Sequence, residues 1–366
     1  MRANRSRIIT IATILLVIAG LAGAATSALR ASHGPRAAGG DRADGHADGV
    51  DLARVVADYT SRFGPDRGYR PPTRDDRTRV AEAVGQLLDG HRGQAQQQLS
   101  QMDFTVRTLV DRVSGRRYAE IADRTDDAVA PRGWGRMYVD LDHRARWSVQ
   151  VPHPVADQGT EQLGVGVLRG SPGGILVIAG AHRKAGRGDS ADVAHRRDTV
   201  FDAVCDELAR RRLPGIQVHG FADDSAPGYD VVASTGRGTA GRDDGRRLAD
   251  ALRAKGFAVC RAWARSCPLE GHENVQGGRA DSDGLPFLHV EFAHAVRDDA
   301  ARMGRAVRAV DTVTGRWARG GVTPGGHMGP GPAQEEVRGG AHSGGHGTGR
   351  ARLGSWSRTV AALPCS

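Results

Sequence analysis

Lysine is almost missing from this chain of 366 residues: it occurs only at Lys184 and Lys255, although lysine and arginine together number 51. The net charge of +9 is therefore carried by arginines, and these alternate with acidic residues along the whole chain. No long basic run occurs, and aromatics make up only 5%, which leaves little to stack on bases, so nucleic acid is not an expected partner. Cysteine is also scarce. Cys205, Cys260, Cys267 and Cys365 form no CxxC pair and no Cys/His finger spacing, which excludes a zinc finger and a dithiol redox centre. A GxSxG elbow is absent, and Ser234 in VVASTGRG has no His and Asp partners in a hydrolase order. No GxGxxG precedes a helix, so a nicotinamide cofactor is not expected. VVASTGRGTAGRDDGRR is rich in Gly and Arg but lacks the phosphate-loop order, and is read as bordering a cleft for an acidic substrate.

What remains is a chain able to build a core, with 39% apolar and 25% charged residues. Its 51 glycines require long loops or tails to hold them. Arg2, Arg5 and Arg7 precede an uncharged run from Ile8 to Leu29, whose apolar centre at Ile14 to Ile18 is followed by small residues at Ala22-Gly23-Ala24 and Thr26-Ser27-Ala28. That order is expected of a secretory signal or an N-terminal anchor over residues 1–28, with the rest of the chain secreted or held outside the membrane. An oxidising exterior permits Cys260 and Cys267 to close a short ring, and Cys205 falls on the apolar side of a helix as a buried free thiol.

Residues 29–50 read as a polar Gly/Ala linker, and 51–130 as a small helical subdomain, with Val80, Val84, Leu87 and Leu88 at helical spacing and Leu99, Phe104, Leu109 and Val110 continuing it. Residues 131–316 read as an α/β domain, a mixed sheet flanked by helices. MYVDL, WSVQV, GILVIAGA, GIQVHGF, FAVCRAW and LPFLHVEFA alternate in it with helical stretches, among them one from about Asp192 to Arg211 with Asp192 as its N-cap. Residues 317–366 are low in complexity, rich in Gly and His, and expected to be a disordered tail.

Ligands of α/β sheets bind beyond the carboxyl ends of the strands. Several loops there start on a metal-competent or charged side chain. PHPVADQGTE after WSVQV carries His153, Asp157 and Glu161; His182 and Arg183 follow ILVIAGA; His219 ends GIQV; and Glu291 ends LPFLHV, with Arg297 beyond it. Hydrolytic zinc takes three His or carboxylate ligands and keeps a position for water. His153 and His219 with Asp157 or Glu161 supply such a set, and Glu291 stands as general base. Arg183, Arg196 or Arg297 would hold a substrate carboxylate, and His182 would donate to a developing oxyanion. His272, His289 and His294 read as loop or strand-face residues.

The order of these patches resembles the zinc carboxypeptidases, and more closely their short relatives, the phage-type poly-γ-glutamate hydrolases and related amidohydrolases. PHPVADQGTE, VHGF and VEFAHAVR carry the resemblance over about residues 146–297. It implies a carboxypeptidase-like fold, one zinc ion on His153, Asp157 and His219, and Glu291 as base. The four-residue step from His153 to Asp157 departs from the HxxE step of the family. The expected function is an exported zinc-dependent hydrolase of an amide or peptide-like bond in an anionic or cell-wall substrate. The alternatives are a non-catalytic extracellular binder of a polyanion or wall component and, third, a metal-dependent phosphoesterase.

Overall fold

The computed structural model describes residues 49–320. The expected export segment, nearly all of the linker, the tail beyond residue 320 and Cys365 lie outside them. Among the described residues no helix is long and apolar enough to cross a membrane.

The chain opens with β1 (Gly49–Val50), α1 (Leu52–Thr60), α2 (Arg74–Leu88) and α3 (Arg92–Ser100). Helix α2 starts sharply because Thr73 and Asp76 form a reciprocal cap, each side chain accepting the other's backbone N–H. The helical expectation for 51–130 then fails. Phe104–Asp111 and Arg117–Asp123 are strands β2 and β3, paired antiparallel over seven positions. Thr105, Val106, Thr108 and Val110 are β-branched and suit a pleated surface. Phe104 and Leu109, five residues apart, fall on opposite faces of the strand and enter two different cores. Because β3 also pairs with β4 (Arg136–Asp140), this segment widens the main sheet and is no separate subdomain.

Alternation continues with β5 (Trp147–Val151), α4 (Thr160–Gly170), β6 (Gly174–Ile178), α5 (Val200–Arg210), β7 (Gly215–Phe221), β8 (Val231–Ser234), α6 (Arg242–Ala254) and β9 (Val259–Arg261). It ends with α7 (Val275–Ser282), β10 (Phe287–Ala293), α8 (His294–Arg297) and α9 (Ala300–Ala318). The expected mixed sheet is present, in the order β1-β2-β3-β4-β6-β5-β7-β10-β8-β9. Its centre, β6-β5-β7-β10, is parallel. Helices α1, α4, α6 and α9 cover one face, burying Leu163, Leu168, Leu248 and Val310. Helices α2, α3 and α5 cover the other with Val80, Leu99, Phe201 and Val204.

Helix α5 begins eight residues later than Asp192, capped by Thr199, whose side chain accepts from Asp202 N at 3.1 Å. Helix α9 runs past the expected boundary at residue 316. Trp317 is buried and its indole N–H donates to Asp244 at 2.9 Å, so it belongs to the core and not to a tail. Cys260 and Cys267 are disulfide-bonded, and Cys205 is free and buried.

Strand order at the centre creates the crevice. The chain leaves β5 through α4 to β6 on one side, then crosses back through α5 to β7 on the other side of β5. Connections from neighbouring strands thus part on opposite faces of the sheet, as at the switch points where α/β proteins bind ligands. The segment after β6 is held against 133–135 by backbone contact: a Cβ on Gly180 would lie 2.3 Å from Gly135 N and 2.4 Å from the Gly133 carbonyl carbon.

Gly180→Ala is accordingly expected to lower unfolding free energy by about 3 kcal/mol, since the obstacle is backbone on both sides. Urea denaturation checks this, and a cost within error of zero refutes the close approach. Burial, reinforced by Asp206, raises the pKa of Asp202 to about 7. The folded state therefore holds this proton more tightly than the unfolded chain, and the associated stability is present below about pH 4 and lost as pH rises through about 7. Asp202→Asn should remove up to about 1.4 kcal/mol per pH unit of slope across that interval, read from denaturation midpoints at stepped pH. An unchanged slope would mean the carboxyl ionises normally.

Candidate metal centre

Strand β5 hands the chain to the loop 152–159, where Asp157 N donates to His153 O at 2.9 Å. That turn returns the chain after four residues and sets both side chains on one side. The four-residue step is thus accommodated by an (i, i+4) turn. The turn bends at Val155, whose φ of +67° is costly for a β-branched residue. Gly159, at φ +80°, then starts α4. Glu161 consequently falls in the first helical turn and accepts from Val155 N at 3.4 Å. It does not reach the other candidate ligands. Of the two carboxylates, Asp157 and not Glu161 meets both histidines.

Parallel pairing of β7 with β10 sets His219 opposite Glu291 and Gln217 opposite His289. These four residues lie on the same face because positions two apart on a strand point the same way. Asp157 Oδ2 is the point of convergence: His153 Nδ1 lies at 3.2 Å, His219 Nδ1 at 3.4 Å, and Gly220 N donates to it at 3.2 Å. His153, Asp157 and His219 are all buried.

The far side of each imidazole is held. His153 Nε2 lies 2.7 Å from Asp192 Oδ1, and His219 Nε2 lies 2.7 Å from Gln217 Oε1. Carboxylates only accept, so Asp192 draws a His153 proton to Nε2, and Asp157 holds a second one at Nδ1 that a bound cation would displace. Gln217 presents oxygen to His219, which places the His219 proton on Nε2. Two ring nitrogens and one carboxylate oxygen therefore aim at a common point, with second partners fixing the rings from behind, as in metal-ligating histidines. Arg183 flanks that point, with Nη1 3.4 Å from His153 Nδ1 and Nη2 donating to Asp192 Oδ2 at 2.6 Å.

Electrostatics agree with a site built for positive charge. Burial would lower the His153 pKa, but Asp157 and Asp192 overcome it and raise it. Burial holds His219 down at about 4 and keeps it neutral, Asp157 notwithstanding. Burial also opposes ionisation of Asp157, yet the two histidines pull its pKa well below the usual range. Glu291 is pushed up to about 8 by burial and then by Asp157.

Other expected residues have other surroundings. Arg297, expected to hold a substrate carboxylate, is engaged with the backbone: its guanidinium donates to the carbonyls of Phe292 at 3.0 Å, Phe221 at 2.9 Å and Gln158. It clasps the ligand loop to β7 and β10, passing over Gly220, where a Cβ would meet its Cζ at 2.4 Å. Arg196 is occupied by Asp198 at 2.9 and 2.7 Å. His182 is half-buried after β6, its pKa lowered by burial and then by Lys184 and Arg183. Asp192 is no helix cap; it receives His153, Arg183 and, at 3.1 Å, His195. His289, read as a strand-face residue, stacks 4.4 Å from His219 with Nε2 3.9 Å from Glu291. Its Nδ1 is buried without a hydrogen-bond partner. The signal for His289 was its two-residue step from Glu291 on the same strand; nothing local marked Gln217.

No protein-family model and no curated protein matches this chain. Among solved structures it is similar to N-formylglutamate amidohydrolase from Ralstonia eutropha JMP134, at 14% identity and a TM-score of 0.37, over 50% of this chain and 96% of that one. It is similar to bacteriophage poly-gamma-glutamate hydrolase at 14% and 0.36, over 50% and 90%. A metallo-carboxypeptidase from Pseudomonas aeruginosa gives 16% and 0.34, over 69% and 70%. These include the kinds of hydrolase that PHPVADQGTE, VHGF and VEFAHAVR resemble. At such values no residue role is carried across, and each role rests on the contacts above.

Strain at Val155 generates a test of the loop. Val155→Gly should raise stability by around 1 kcal/mol after glycine's entropy cost, because it relieves a left-handed β-branched residue. A loss of similar size in chemical denaturation would show that packing of the valine outweighs the strain.

Proposed function

We propose that this chain is a metal-dependent hydrolase of an amide or peptide-like bond, with His153, His219 and Asp157 as ligands and Glu291 as general base. The observation that carries the reading is the convergence of His153 Nδ1, His219 Nδ1 and Asp157 Oδ2, with both Nε2 atoms held by Asp192 and Gln217. A neutral His219 with its proton on Nε2 turns a lone pair toward an anionic oxygen, an arrangement that a cation satisfies. Two imidazoles and a carboxylate are the donor set of hydrolytic zinc, so the residues present fit that ion. When bound, zinc supplies an acidified water and positive charge for a developing oxyanion.

The chain's own groups provide the rest. Glu291 takes a proton from the attacking water and passes it to the leaving nitrogen, which lets one carboxylate act as base and then as acid. Arg183, anchored on one side by Asp192, offers a guanidinium to a substrate carboxylate, and His182 would donate to the developing oxyanion. This favours an anionic peptide or polymer as substrate. Export by the N-terminal segment would set the enzyme among cell-wall peptides and extracellular polymers.

Elemental analysis of protein expressed with zinc should give about one zinc per chain, lost in His153→Ala and His219→Ala. Glu291→Gln should retain that zinc while hydrolysis of acyl-glutamate and peptide substrates falls by roughly 100- to 10,000-fold. Metal-free wild-type protein would overturn the hydrolase and move the weight to a binding role. Loss of zinc in Glu291→Gln would make Glu291 a ligand.

A further inference from the structure

The histidine on β7 owes its proton position to groups remote from the site. Gln276, on α7, donates through Nε2 to Val193 O at 3.0 Å and to Asp202 Oδ1 at 2.8 Å. A backbone carbonyl has no alternative orientation, so the Gln276 oxygen must face away from it, toward Gln217 Nε2 at 3.2 Å. Gln217 Nε2 also donates to Gln150 Oε1 at 3.0 Å. A second anchor acts on the other end of the same amide. Asn274 Oδ1 accepts from Gly277 N at 2.8 Å, which leaves Asn274 Nδ2 to donate to Gln217 Oε1. Both anchors give Gln217 the same orientation, oxygen toward His219 Nε2 at 2.7 Å. Gln150, Gln217, Asn274 and Gln276 are all buried, so water cannot substitute for a lost partner at low cost.

We propose that Gln217 is a positioning residue whose amide, oriented by Gln276 and Asn274, holds His219 as the Nε2–H tautomer and so keeps Nδ1 open as a donor. The proposal rests on the metal-site reading for its consequence, though the tautomer itself is a property of the metal-free chain. With a flipped or absent amide, the His219 proton moves to Nδ1, where Asp157 accepts it, and that nitrogen can no longer take a cation.

Two variants separate positioning from mere packing. Gln217→Leu keeps apolar bulk and removes the acceptor. Gln217→Glu keeps an oxygen toward His219 and, as the buried acid, one donor toward Gln276. Nitrogen-15 NMR of the metal-free proteins reads the His219 tautomer, and competition against a chromophoric chelator reads zinc affinity. The expected result is a shift of the proton to Nδ1 and a roughly 10- to 100-fold weaker zinc affinity in Gln217→Leu, with Gln217→Glu within a few-fold of wild type. An unchanged tautomer in Gln217→Leu, or an equal loss in both variants, overturns the proposal. If Gln217→Leu does not fold, removal of both anchors in Gln276→Leu/Asn274→Leu gives the reading: an Nδ1–H population absent from wild type supports the relay, and its absence refutes it. Wild-type protein that takes up no zinc while showing the Nε2–H form would defeat the metal reading alone.

Discussion

Asp157 Oδ2 organises this molecule's functional end. A buried carboxylate is costly unless it is met by donors or positive charge; here the Gly220 amide donates to it, and ring nitrogens of His153 and His219 converge on it, from the loop after β5 and from β7. The loop after β5 must turn back through Val155, β7 must bring His219 level with that loop, and Gly220 must lack a side chain so that Arg297 can pass. The clasp made by Arg297 on three carbonyls holds these parts together. Loss of any one would leave that buried charge with fewer partners.

The sheet supplies the rigidity behind that point. Its four central parallel strands are covered on both faces, and their carboxyl ends carry His153, Arg183, His219 and Glu291 on or just beyond β5, β6, β7 and β10. Behind the two imidazoles stand different supports. Asp192 is shared with Arg183 and His195, whereas Gln217 belongs to an uncharged network reaching α7. The first gives charge to His153, and the second leaves His219 neutral. A cation would therefore have to displace the His153 proton from Nδ1, whereas His219 already presents a lone pair there.

Much of the fold was legible because its central strands are short apolar runs bounded by turn residues, and WSVQV and GIQVHGF fall where their patterns put them. The strands at Phe104–Asp111 and Arg117–Asp123 were not, because five-residue spacing of apolar positions fits a helix face loosely and a strand only when both faces are buried. Helix α7 escaped notice because VQGGRADS has no apolar stripe. Among the site residues, His153, Asp157, His219 and Glu291 stood out as metal-competent side chains at strand ends. Glu161 and Arg297 carried the same chemical signal but were turned to other partners by the start of α4 and by the carbonyls around Gly220.

The sequence by itself determined the class of structure, the strand-end placement of the metal-competent residue types and a spacing that permits the disulfide of Cys260 with Cys267, since each depends on local pattern or short spacing. Only the tertiary structure decided which carboxylate meets both histidines, that Asp192 supports His153 from 39 residues away, and that Gln276 governs the amide of Gln217 from 59 residues away. Those choices depend on hydrogen-bond direction between groups far apart in the chain, and periodicity contains no information about which way a buried amide faces.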